Sequence, residues 1–130
     1  MRVFLMVKVM HLPMICIASG PSLKSEDCEL IIHAGLPVIA VNSSWAAVSS
    51  CQHIYAADCC WWEEYNAGIK SGATRWCGDE FTARRFGINW LPSAIPGSFN
   101  SGQRAIELAI HHGARRHLLL GYNTSKRNRT

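Results

Sequence analysis

Five short polar clusters, far apart in the chain, each end or begin an apolar stretch. Ser19, Gly20, Pro21 and Ser22 follow MICIA, Asn42 and Ser43 follow PVIAV, and Asp58 follows HIYAA. Ser101 and Gly102 open an amphipathic run, and Tyr122 and Asn123 follow HLLLG. The residue types suit a phosphate-bearing ligand. Gly20 has no side chain to hold a ligand off the backbone, and Pro21 fixes the loop so that N–H groups can point outward. At Ser101-Gly102 a hydroxyl joins the free N–H groups of a helix start, a second place for an anion. Two such places fit a nucleotide or a diphosphate. Asn42 offers donor and acceptor to a base or ribose, while Asp58 accepts from sugar hydroxyls or holds a magnesium ion.

Each cluster also has a purely structural reading, because Gly-Pro-Ser is a common turn and Asn or Asp after a strand is a common turn or cap residue. What favours a site is their shared placement, which depends on the elements around them. MICIA, Met14 to Ala18, is a continuous apolar run bounded by Pro13 and Gly20, the pattern of a strand buried on both faces. Ser25 is the expected N-cap of a following helix, with Glu26 and Asp27 in its first turn, Leu30, Ile31 and Ala34 on its apolar face and Gly35 as its stop.

Pro37 to Asn42 and His53 to Asp58 read as two more buried strands, and Asp58 caps a helix running through CCWWEEYNAG to Gly68. Within it, Trp61-Trp62 should place one ring in the core and the other at a surface or subunit contact. From Ile69 to Phe99 the periodicity weakens and only TRWC suggests a strand. A last helix begins at Asn100 or Ser101, with Ala105, Ile106, Ala109 and Ile110 as its apolar face, ends at Gly113, and leads into HLLLG as a buried strand.

Alternating apolar strands and amphipathic helices specify an α/β fold: a Rossmann-like, doubly wound, mainly parallel sheet with helices on both faces. One domain spans 1–123, residues 1–12 are an extension or an edge strand, and 124–130 form a basic disordered tail. In such a sheet ligands bind at the carboxyl ends of the strands, where strand order reverses. All five polar clusters fall on that edge.

Composition narrows the function. The net charge is +4, but Lys126, Arg127 and Arg129 lie in the tail, so the body is near neutral and nucleic acid is not an expected partner. Arg84-Arg85 and Arg115-Arg116 are explained by solvation. The six cysteines show no Cys-x-x-Cys spacing, and Cys16 and Cys28 sit in apolar patterns, so reduced structural thiols and a cytoplasmic protein are expected, without a zinc site. Lys8, His11 and Pro13 interrupt the first apolar stretch, which argues against a secretory leader, and no run is long enough for a membrane span. His111-His112 suit the end of a helix dipole. The chain has no Gly-x-Ser-x-Gly, no Gly-x-x-x-x-Gly-Lys-Ser and no Gly-x-Gly-x-x-Gly, which argues against a nucleophile-elbow hydrolase, a common ATPase and a standard NAD enzyme.

IASGPSL, VIAVN, YAAD and NSGQRAIELAIHHGARRHLLLGYN together resemble a group of Rossmann-like proteins of bacteriophages and bacteria. The pattern is similar to that of bacterial sialyltransferases and of archaeal hydroxymethylpterin pyrophosphokinase-like proteins. It extends over Met14 to Asn123, weakening between Ile69 and Phe99. The resemblance implies that Gly20, Pro21, Ser22, Asn42, Ser101 and Gly102 surround a nucleotide-linked ligand, as the matching loops surround a CMP-linked donor in the transferases. Those enzymes continue past the last matching strand and carry their catalytic base there, whereas here TSKRNRT follows, so a complete transferase is not expected. Two functions follow as expectations. One is a non-catalytic, phage-derived protein that captures a nucleotide signal in the cytoplasm of the host cell. The other is a transferase using a nucleotide-sugar or diphosphate donor, with Asp58 holding substrate or magnesium. The apolar, Trp-rich surface suggests a homo-oligomer.

Overall fold

A computed structural model describes residues 13–21, 23–92, 101–114 and 117–122. The expected roles of Ser22, Asn123, the 1–12 segment, the 124–130 tail and Arg115-Arg116 lie outside the described residues.

Among the described residues, six strands form one all-parallel sheet. They are β1 (Met14–Ile17), β2 (Val38–Val41), β3 (His53–Tyr55), β4 (Thr74–Cys77), β5 (Asn89–Trp90) and β6 (His117–Leu120). Between them lie α1 (Ser25–Ala34), a 3-10 turn (Asn42–Ala46), α2 (Cys59–Tyr65), α3 (Glu80–Phe86) and α4 (Ser101–His111). The spatial order is β5-β4-β3-β2-β1-β6. The chain therefore steps outward from β1 to β5 and then returns past β1 to lay down β6.

That order dictates the layers. Right-handed crossovers put the connections of the outward steps on one face, and the reversed step puts its helix on the other. Cys28 and Ile31 of α1, Trp62 of α2 and Ala83 of α3 share one core with Ile15, Ile17, Val38, Ala40, Ile54 and Cys77. Ala105, Leu108 and Ala109 of α4 pack on the opposite face against Met14, Cys16, Ile39, Val41 and Tyr55. Alternate strand residues point to opposite faces, so β1 and β2 serve both cores. Each fully buried aliphatic side chain contributes about 1.5–3 kcal/mol. This is the doubly wound α/β architecture expected from the sequence.

Several local expectations change. Ser25 is the first residue of α1 rather than its cap; Lys24 occupies the cap position without a side-chain hydrogen bond. Leu30 is 68% exposed, because it lies about 100° around the helix from Ile31, which takes the core position. On α4, Ile110 is exposed while Leu108 is fully buried. Leu118 and Leu119 are 51% and 46% exposed rather than buried. Among the described residues their strand is at the edge of the sheet, with β1 as its neighbour, so its two faces are only half covered.

In the stretch with weak periodicity, TRWC is β4 and is followed by α3 and β5. Asp79 caps α3, its carboxylate accepting from the Thr82 N–H at 2.9 Å and from the Thr82 hydroxyl at 2.6 Å. The same hydrogen bonds hold the Asp79 carboxyl below its usual range. Trp62 is fully buried and donates to the Ala56 carbonyl at 3.0 Å, and half-buried Trp61 packs edge-on against it with ring centres 4.9 Å apart. All six cysteines are free. No helix among the described residues is long and apolar enough to cross a membrane.

Candidate functional site

Because every strand runs the same way, all the strand-following loops emerge on one edge, and β1 and β6 are the strands at which the order reverses. Hydrogen bonds tie the loops there together. The Ala18 N–H donates to the Leu120 carbonyl at 2.8 Å, and the Gly20 N–H donates to the Gly121 carbonyl at 2.6 Å. Gly121 has φ +71°, and a Cβ on it would overlap the Ala18 carbonyl oxygen. Only glycine allows the two loops to approach so closely.

The start of α4 is held on the same edge from two sides. The Ser101 hydroxyl, almost fully buried, accepts a hydrogen bond from the Ala57 N–H at 2.8 Å, next to Asp58. Tyr122 donates its hydroxyl to the Gly102 carbonyl at 2.9 Å. Burial raises the Tyr122 hydroxyl above the usual phenol range and pushes the nearby Cys16 thiol up to about 11, so both groups are protonated near neutral pH.

The loop after β2 is secured by Ser44, a residue with no role in the sequence reading. Its hydroxyl accepts from the Val41 N–H at 3.0 Å and donates to the Ile17 carbonyl of β1 at 2.7 Å. Asn42 has φ +52° and is the one non-glycine residue with positive φ among the described residues. Its side-chain oxygen is buried without a hydrogen-bond partner. The Ser43 hydroxyl, on an exposed loop, accepts from the Trp61 indole N–H at 3.3 Å. Asp58 is exposed at the cap position of α2, and its carboxylate makes no capping bond.

Gly20, Asn42, Ser43, Asp58, Ser101, Gly102 and Tyr122 are thus brought to one edge, with exposed Ser19 and Pro21 in the first loop. The arrangement changes what some of them can do. Ser101 and Tyr122 spend their hydroxyls on fixing α4, and the Gly20 N–H is committed to Gly121. Asn42 retains an unused acceptor.

Two further residues of this edge had no part in the sequence reading. Tyr55, at the end of β3, is fully buried, and the Arg104 guanidinium, from the first turn of α4, lies against its hydroxyl. Tyr55 reads locally as a core aromatic and Arg104 as a surface charge. The one local signal was Gly78, directly after TRWC.

No group of three or more His, Cys, Asp or Glu side chains among the described residues is arranged to hold a metal ion. Arg84 and Arg85 pair with Glu80 at 2.9 Å and Glu63 at 2.7 Å, so this dipeptide is no unbalanced basic patch. A cavity of about 290 Å³ lies beside the first loop, lined by Leu23, Lys24, Ser25, Cys28, Glu29, Ile32 and Ala47. It is mainly an apolar groove along α1 and does not include Gly20, Asn42 or Ser101. No family model matches this chain, and no curated protein or solved structure matches it either.

Proposed function

We propose that this protein binds a nucleotide or nucleotide-diphosphate ligand at the carboxyl edge of its sheet, capturing it without turnover, as a phage-derived protein intercepting a nucleotide signal would. The observation that carries the reading is the convergence of the loops after β1, β2, β3 and β6 with the start of α4 at the point where strand order reverses. Crevices at such points receive ligands in open parallel sheets. Asn42 supports it: a left-handed non-glycine residue whose side-chain acceptor is buried and unpaired is costly unless something uses it.

Calorimetric titration with a panel of nucleotides tests this reading. Saturable binding, weakened in Asn42→Ala, with the ligand recovered intact, is the expected result. Absence of binding across the panel rejects it.

A transferase using a nucleotide-sugar or diphosphate donor is the second reading, favoured by Asp58, an exposed carboxylate one residue from the Ala57–Ser101 contact. Catalysis would then come from positioning and electrostatics, with Asp58 holding substrate or magnesium. A transferred or hydrolysed product that disappears in Asp58→Asn supports it over capture.

A further inference from the structure

Among the described residues of the first loop, three positions offer no free backbone donor to a phosphate. The Gly20 N–H is bonded to the Gly121 carbonyl, Pro21 has no N–H, and the Leu23 N–H turns back to the Gly20 carbonyl. Exposed Lys24 follows that loop at the cap of α1, and a second cation, Arg104, stands over the ends of β3 and β4.

Arg104 stands in the first turn of α4, and its side chain crosses to Gly78, the residue after β4. A Cβ on Gly78 would overlap the guanidinium and lie 2.6 Å from the Tyr55 hydroxyl oxygen. The missing side chain at position 78 therefore leaves the space that the guanidinium occupies. Tyr55 forms the floor beneath it. Burial raises that phenol to about 12, with Arg104 opposing part of the rise, so it stays neutral at physiological pH.

Two carboxylates are near. Glu107 acts on Tyr55 from the next turn of α4, and Asp79 adjoins Gly78 but turns its carboxylate to Thr82. Arg104 makes other contacts too, yet a guanidinium has five N–H donors and can serve several acceptors. Its flat fork matches phosphate oxygens.

We infer that the anionic group of the ligand is held on the β3–β4 side of the edge by Arg104, seated over Gly78 and Tyr55, and not in the Gly20-Pro21 loop. This rests on the nucleotide reading above. It orients the ligand, with the phosphate toward α4 and the base or sugar toward Asn42.

The test is titration of the full chain with nucleoside monophosphates and diphosphates and with the matching nucleosides. The wild type should bind nucleotides more tightly than nucleosides. Arg104→Gln should weaken nucleotide binding by about ten- to hundredfold, leave nucleoside binding unchanged, and flatten the salt dependence. Gly78→Ala retains the charge but displaces the guanidinium, and should reproduce the loss; thermal melts of each variant establish that it folds. If nucleotides bind and Arg104→Gln leaves their affinity unaltered, this inference fails while the edge remains the binding site. If only Gly20 or Pro21 variants lose the phosphate preference, the anion belongs to the first loop and the inference is equally overturned. If neither nucleotides nor nucleosides bind, the nucleotide reading itself fails, and this inference with it.

Discussion

The Ser101 hydroxyl and the Ala57 backbone N–H, 44 positions apart in the chain, meet at 2.8 Å. This contact joins the loop after β3 to the first turn of α4. The helix carrying Gly102 and Arg104 is thereby set against the sheet edge.

Ser101→Ala should leave the Ala57 N–H without its partner in a partly buried position. The expected loss of stability is about 1–3 kcal/mol, measured by urea denaturation. A fall in nucleotide affinity should accompany it. A variant as stable as wild type would show that the bond is dispensable for α4.

Gly121→Ala and Gly35→Ala separate conformation from collision. Both glycines have φ near +70°, but a Cβ on Gly35 meets nothing within 4 Å, while one on Gly121 overlaps the Ala18 carbonyl. Gly35→Ala should cost about 1–2 kcal/mol for the left-handed conformation alone. Gly121→Ala should cost distinctly more and loosen the β1–β6 edge. Equal denaturation midpoints for the two variants would contradict this.

Trp62→Ala should cost about 3–5 kcal/mol, the usual range for deleting a buried large aromatic side chain. Trp62 is fully buried in the core between α2 and the sheet. Half-buried Trp61 should tolerate the same change with a much smaller loss. Thermal melts of the two variants provide the comparison.

Acid should weaken the fold through His53. Its ring stacks on His112 with centres 4.5 Å apart, and its Nδ1 accepts from the Trp76 indole N–H at 3.0 Å, with His111 packed against Trp76. Burial first, and then His112, lower the His53 pKa from 6.5 to about 4. Above pH 6.5 the ring is mainly neutral in both folded and unfolded chains. Between 6.5 and about 4 the unfolded chain takes up the proton first, so stability falls with pH, then levels off. His112 is shifted the same way. Urea midpoints at pH 7 and pH 5 should differ less in His53→Gln than in wild type; an unchanged difference would remove His53 from this role.

Local patterns fail in this chain where a contact is long-range or a surface is only half covered. α3 begins with a clear cap, Asp79 followed three residues later by Thr82, but the glycines flanking it obscure the periodicity of so short a helix. HLLLG reads as fully buried because three leucines in a row suit a central strand, and only its place beside β1 at the sheet edge exposes two of them. At the candidate site, the residue types that collect at the edge are legible. Which of their polar groups are already occupied is not.

The amino-acid sequence by itself determined the class of fold, since strands buried on both faces must be written as continuous apolar runs and the helices that cover them as amphipathic ones. It also placed the polar clusters after those strands, and hence on one edge. Only the tertiary structure decided that the Ser101 and Tyr122 hydroxyls and the Gly20 N–H belong to the framework, that Asn42 keeps a free acceptor, and that Arg104 lies over Gly78. Each of these depends on groups that become neighbours only when separate crossovers dock on a common sheet, a relation that no local sequence pattern encodes.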